Sequence, residues 1–186
     1  MGKYVVAILM CTVLSFSLLP ELTASLVSPI IKRATLKVKY PNGVEVKGGN
    51  ELTPGNVTAL PSVDWVPEPD TLYTLTLTDP DALPNTPFQF VHWFIGNIPG
   101  NTVTKGQIIA TYLGSSPPAG TGLHRYIFSL YRQPGAIDYN EEKTRYTDVE
   151  GRKQFPLSFA TKYNLALAAG NYFEAQFDGN MHFPPT

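Results

Sequence analysis

From Thr71 to Asp79 the chain alternates with a period of two, Tyr73, Leu75 and Leu77 falling on one side and Thr74, Thr76 and Thr78 on the other. A helix needs apolar groups spaced near 3.6 residues, so this stretch is predicted to be a strand. Continuing the count carries Asp79 to the apolar side, at the strand's end. Similar patterns run through Phe88–Ile98, where Phe88, Phe90, His92 and Phe94 share a face, and through residues 107–113, 122–133 and 171–178. Residues 34–40 and 44–46 read as a hairpin across the turn Pro41-Asn42-Gly43, with lysines on its wet face. The chain's 17 prolines and 15 glycines exclude long helices. One helix is predicted, over Pro156–Leu167, with Phe159, Tyr163 and Ala166 as its apolar stripe and Gly170 as its stop. Residues 138–153 read as a charged loop. The fold class is therefore mainly β, an antiparallel β-sandwich with a minor helical addition in a single domain.

The N-terminus reads differently. Lys3 precedes an almost wholly apolar or small run from Tyr4 to Leu19, and Pro20-Glu21-Leu22-Thr23-Ala24-Ser25 follows. This is the pattern of a secretory signal peptide over residues 1–24, cut after Ala24 or Ser25 and leaving a mature domain to residue 186. The alternative is an uncleaved anchor, but the run is shorter than the roughly 20 residues a membrane span requires. Cys11, the single cysteine, lies inside this segment, so the mature, secreted chain is expected to carry no disulfide and no thiol chemistry. A net charge of -1 without a basic stripe argues against nucleic-acid binding. Asn56-Val57-Thr58 is the one acceptor triplet for N-glycosylation; an unused triplet is the plain alternative.

Polar residues on apolar faces mark the candidate site. Asp79, His92, His124 and Tyr126 are all sent there by period-two counting, and a turn at Asp79-Pro80-Asp81 would bring Asp81 to them. A lone histidine on an apolar face is ordinarily a satisfied core residue. An acid and two imidazoles at strand ends, beside the Gly/Pro-rich loop Gly114–Gly122, point instead to a shared pocket. Imidazoles and loop amides donate to anions. Asp79 would orient the histidines and Asp81 would attract an ammonium group, so a zwitterion with phosphate and amine fits. A facial metal site of two histidines and one carboxylate is the rival. No activated nucleophile is visible, so the reading is of a non-enzymatic binder needing no cofactor or metal.

Asp79-Pro80-Asp81-Ala82, Val91-His92-Trp93-Phe94, and Gly114-Ser115-Ser116-Pro117-Pro118 running to Gly120-Thr121-Gly122-Leu123-His124-Arg125-Tyr126 together resemble the phosphatidylethanolamine-binding protein family, also called the Raf kinase inhibitor protein family. The resemblance implies a large antiparallel sheet packed on a smaller one, with one or two short helices. It also implies a surface pocket for phosphate-type anions such as a phospholipid head group. Pocket residues carried over are Asp79, Asp81, His92, Ser116, Pro117, His124 and Tyr126. Family members that inhibit proteases or kinases make a protein partner the alternative role. Departures are Leu83 before the motif's proline, Phe88-Gln89 in place of an Arg-Glu pair, Ser116 in place of glycine, and no counterpart of a C-terminal helix.

Overall fold

A computed structural model describes residues 34–180. The signal-peptide reading, Cys11 and His182 lie outside them. Its strands are β1 (Ala34–Thr35), β2 (Lys37–Lys39), β3 (Asn50–Glu51), β4 (Ser62–Asp64), β5 (Leu72–Asp79), β6 (Phe88–Pro99), β7 (Gln107–Ala110), β8 (His124–Arg132), β9 (Phe155–Pro156) and β10 (Ala166–Ala175). The large sheet runs β1-β10-β8-β5-β6-β7, with β3 on β10 and β9 on β6, while β2 and β4 form a separate two-stranded sheet. The architecture is mainly β, as the alternation predicts. It is not wholly antiparallel, because β1 and β3 both pair β10 in parallel. The opening hairpin is divided between sheets. Ala34–Thr35 joins the large sheet, whereas Lys37–Lys39 pairs β4 with both lysines exposed. The predicted turn nevertheless closes, Tyr40 N–H donating to Val44 O at 2.8 Å.

Both faces of the large sheet are covered. Leu75, Leu77, Trp93, Phe128 and Phe173 pack with Val38, Val63 and Trp65 of the small-sheet layer. On the opposite face Val91, Phe94 and Ile109 meet Tyr139, Tyr146, Phe155 and Phe159. Thr74, Thr76 and Thr78 are consequently buried too. A fully buried aromatic side chain contributes about 1.5–3 kcal/mol, and Phe94, which makes four aromatic contacts, is the centre of the second cluster.

That second layer corrects two expectations. Residues 138–153 are not a loop: they hold α1 (Asn140–Arg145) and α2 (Val149–Arg152). Asp148 caps α2, its Oδ1 accepting from Gly151 N–H at 2.7 Å. Nor is 156–167 one helix. Only Phe159–Lys162 (α3) is helical; Asn164, at φ +50°, turns the chain, and Ala166 already pairs Arg132 of β8. Phe159 and Tyr163 do face the core, but Ala166 is an exposed strand residue and Gly170 lies inside β10. The remaining strand bounds shift at their ends: 107–113 shortens to β7, and 171–178 begins earlier and ends sooner as β10.

A third correction concerns β6. Leu77 pairs Trp93 and Thr78 pairs Val91, so His92 is an extra residue, a β-bulge. The bulge turns His92 and Trp93 to the same face, alongside Tyr126, while Phe94 goes to the other. The expected His92–Phe94 face therefore does not exist, although Phe90 and His92 remain neighbours at 4.7 Å between ring centroids.

Candidate functional site

The end of β5, the bulge of β6 and the start of β8 converge beneath residues 114–122. Two local features let that loop lie there. Gly114 is closely covered, a side chain at this position meeting Val57 O at 2.7 Å. Gly120 and Gly122 take φ of +81° and +80°, a region other residues rarely adopt, and flank Thr121.

Asp79 and His124 are almost fully buried and joined, His124 Nδ1 donating to Asp79 Oδ2 at 2.8 Å. Asp79 Oδ1 accepts from the amides of Asp81 (2.8 Å) and Ala82 (3.0 Å), which folds the predicted turn back over the strand. The other imidazole nitrogen, Nε2, lies 2.8 Å from Thr121 Oγ1, and that hydroxyl donates its single proton to Pro118 O. Thr121 thus accepts from His124, and both ring nitrogens carry protons. The hydrogen bond to Asp79 outweighs burial and raises the His124 pKa, with the charges of Asp79 and Asp81 adding to it. His124 is an imidazolium held under an exposed threonine.

His92 is set the opposite way. Burial drives its pKa down to about 4 against the pull of the Asp79 charge, and Arg152 lowers it further. The neutral ring donates from Nδ1 to Leu113 O at 3.1 Å, leaving Nε2 without a proton. Two imidazoles donating to one anion is therefore not the arrangement found. His124 is the donor and His92 an acceptor. Tyr126 packs edge-on against His92 and stacks on Phe173 at 5.0 Å. Its hydroxyl meets the Ser116 amide, and burial, then the nearby Asp79 charge, raise its pKa. Pro117 is buried beside half-buried Ser116. Ser115, fully buried, has no hydrogen-bond partner for its Oγ among the described residues.

Asp81 does not stand free for an ammonium group. Arg125 grips it with Nε–Oδ2 at 2.8 Å and Nη2–Oδ1 at 2.6 Å, and the Arg125 amide also donates to Oδ2. Burial alone would raise the Asp81 pKa; the Arg125 bonds and charge more than reverse that and hold it low. Among the described residues no three His, Cys, Asp or Glu side chains converge as metal ligands. Asn56 is exposed, in the turn Pro54–Val57.

Three participants carry no period-two signal: Thr121, Arg125 and Arg152. Arg152, nearly buried, donates to the carbonyls of Val91 and His92 (both 3.2 Å) and Thr111 (2.9 Å), and to Thr111 Oγ1 (3.0 Å). It clamps the bulge that aims His92.

A mixed central sheet carrying a two-stranded sheet on one face, with an Asp–His pair under a Gly/Pro loop at one end, describes a class of β-rich binding folds. The sequence profile of the family described as phosphatidylethanolamine-binding protein matches residues 42–173. The chain belongs to that family. It is 34% identical over 152 residues to "Putative odorant-binding protein A5" of Drosophila melanogaster, covering 78% of this chain and 72% of that protein. It is 38% identical over 146 residues to the 26 kDa secreted antigen of Toxocara canis, covering 76% of this chain and 56% of the antigen's length. A carboxypeptidase Y inhibitor, solved in complex with its cognate proteinase, has 25% sequence identity and a TM-score of 0.66, covering 84% of this chain and 92% of the inhibitor.

Proposed function

We propose that this protein is a secreted, non-enzymatic binding protein whose Asp79–His124 site takes a phosphate-bearing head group such as that of phosphatidylethanolamine. The observation that carries the reading is the imidazolium whose Nε2–H is directed at a displaceable hydroxyl. Thr121 sits on an exposed turn between two left-handed glycines, and an anionic oxygen in its place would gain a charge-assisted hydrogen bond. His92 Nε2 would accept from a protonated phosphate oxygen or an ammonium. Ser116 and Pro117 form the adjoining wall, with Tyr126 behind the Ser116 amide. Asp81, engaged by Arg125, is not free to meet the ligand. Secretion rests on the N-terminal pattern and on the likeness to a secreted antigen. Exposed Asn56 would then carry glycan.

Calorimetric titration with phosphoethanolamine is the test. His124→Ala should weaken binding by about 10- to 100-fold, the loss of one charged donor. Thr121→Ala, which removes the internal occupant, should bind as tightly as the parent or more so. Unchanged affinity in folded His124→Ala overturns the reading. The likeness to the carboxypeptidase Y inhibitor favours a second role, protease inhibition. A residual-activity assay with carboxypeptidase Y decides that role separately.

A further inference from the structure

Thr78 and Asp79 are consecutive in β5 and point to opposite faces. Behind the anion site, Thr76 and Thr78, Gln89 of β6 and Ser129 of β8 line a cavity of about 200 Å³, together with Leu157 and Leu165. The four polar residues are deeply buried: Thr76, Thr78, Gln89 and Ser129 are 1%, 4%, 8% and 5% exposed. Thr74, one step earlier on the same face, is fully engaged, with Gln133 Oε1 at 2.9 Å and Tyr139 OH at 2.8 Å. Thr76, Thr78 and Gln89 have no such side-chain partner among the described residues; their polar atoms open on the cavity. Unpaired within the protein and accessible from the cavity, these hydroxyls and this amide are where a guest's polar atom would be held. No ionised side chain lines the space, so nothing there would compensate a charged guest.

We propose that this cavity is a second binding site, distinct from the anion site, for a small neutral amphiphile. An alcohol, ketone or ester oxygen meets Thr76, Thr78 and Gln89, and an apolar body lies against Leu157 and Leu165. Leu157 and Leu165 belong to the very segment whose apolar spacing suggests one helix; as a turn, a four-residue helix and the start of β10 it leaves the space open. A cavity of about 150 Å³ accepts benzene, so this one suits a single ring with a short polar substituent.

The test is a ¹H–¹⁵N NMR titration with benzyl alcohol and, separately, toluene. Saturable shifts are expected at the amides of Thr76, Thr78, Ser129 and Ala160, with benzyl alcohol about three- to tenfold tighter than toluene. In Thr76→Val/Thr78→Val that preference should fall towards one; the single Thr78→Val, nearly isosteric and strand-compatible, should reduce it in the same direction if the double variant does not fold. Saturating phosphoethanolamine should leave these shifts in place. Shifts that are absent, or linear and spread over the surface, would show a cavity that holds water only and overturn the proposal. Equal affinity for the two probes, a preference that survives the valines, or displacement by phosphoethanolamine would overturn it as well.

Discussion

Replacing Asp79 by asparagine isolates what one carboxylate oxygen does. In the parent, Oδ1 accepts from the Asp81 and Ala82 amides and Oδ2 accepts from His124 Nδ1. Asparagine keeps a carbonyl for the two amides but presents an NH₂ to Nδ1. Two donors cannot share a hydrogen bond, so His124 must give up its Nδ1 proton and with it the positive charge. The variant loses one charge-assisted bond between groups only 2% and 3% exposed. Such bonds contribute about 1.5–3 kcal/mol. In a fold of roughly 150 residues, where about 1 kcal/mol moves Tm by 2–4 °C, Tm should fall by roughly 3–12 °C. The sign with pH follows from the raised His124 pKa. That contribution is fully present below the unfolded value of about 6.5 and is lost as pH rises through the folded value. Calorimetric melts of both proteins should therefore differ most near pH 5–6 and by less on the alkaline side, where the neutral ring still donates to Asp79. An NMR titration of the His124 ring should place the parent's midpoint above about 6.5 and the variant's lower. A gap in Tm that is flat from pH 5 to 9, or identical midpoints in the two proteins, refutes the imidazolium assignment.

His92 runs the other way: with its pKa near 4, the stability gained by keeping it neutral is present above about 6.5 and drains as pH falls towards about 4. His92→Phe should remove that acid-side loss in urea titrations repeated across the range. Arg152→Met should cost about 2–4 kcal/mol, since charged-donor bonds at about 1.5–3 kcal/mol each vanish while some of the freed carbonyls keep other partners; chemical denaturation reads it, and a loss below about 1 kcal/mol would contradict the clamp. Glu142, buried in α1, accepts from Lys162 Nζ at 2.6 Å and Tyr163 OH at 2.8 Å. Glu142→Gln should destabilise by about 1–2 kcal/mol in thermal melts, with half-exposed Lys162 limiting the effect.

What could be read from residues alone follows from which forces are local. Tyr73-Thr74-Leu75-Thr76-Leu77 states its own geometry, and extrapolation by parity reached the buried Asp79 and His124 that bond to each other. Parity fails at His92 because a bulge has no compositional mark; it arises where two strands accommodate unequal lengths. Residues 138–153 look soluble by composition, yet Glu142 and Arg152 are buried because their partners are distant in sequence: Lys162 and Tyr163 for one, Val91, His92 and Thr111 for the other. Pro156 and the Phe159–Tyr163 spacing are good helical signals, overridden when β8 offers Ala166 a ladder. Asp81 shows the same limit within the site. Its acidity is plain, but its engagement by Arg125 depends on how the turn is folded.

The extra residue at His92 has a bearing on how this strand can vary. Exchanging His92 for another side chain leaves the count intact, and Phe88–Val91 keep their present orientations. Deleting it would restore regular pairing at this point, leaving the other irregularity opposite Tyr73–Leu75, while rotating Phe88–Val91 by half a turn and sending Val91 towards Tyr126 and Phe90 towards the helices. Lineages descended from such a chain are thus free to reassign the letter at this point but not to shorten the word.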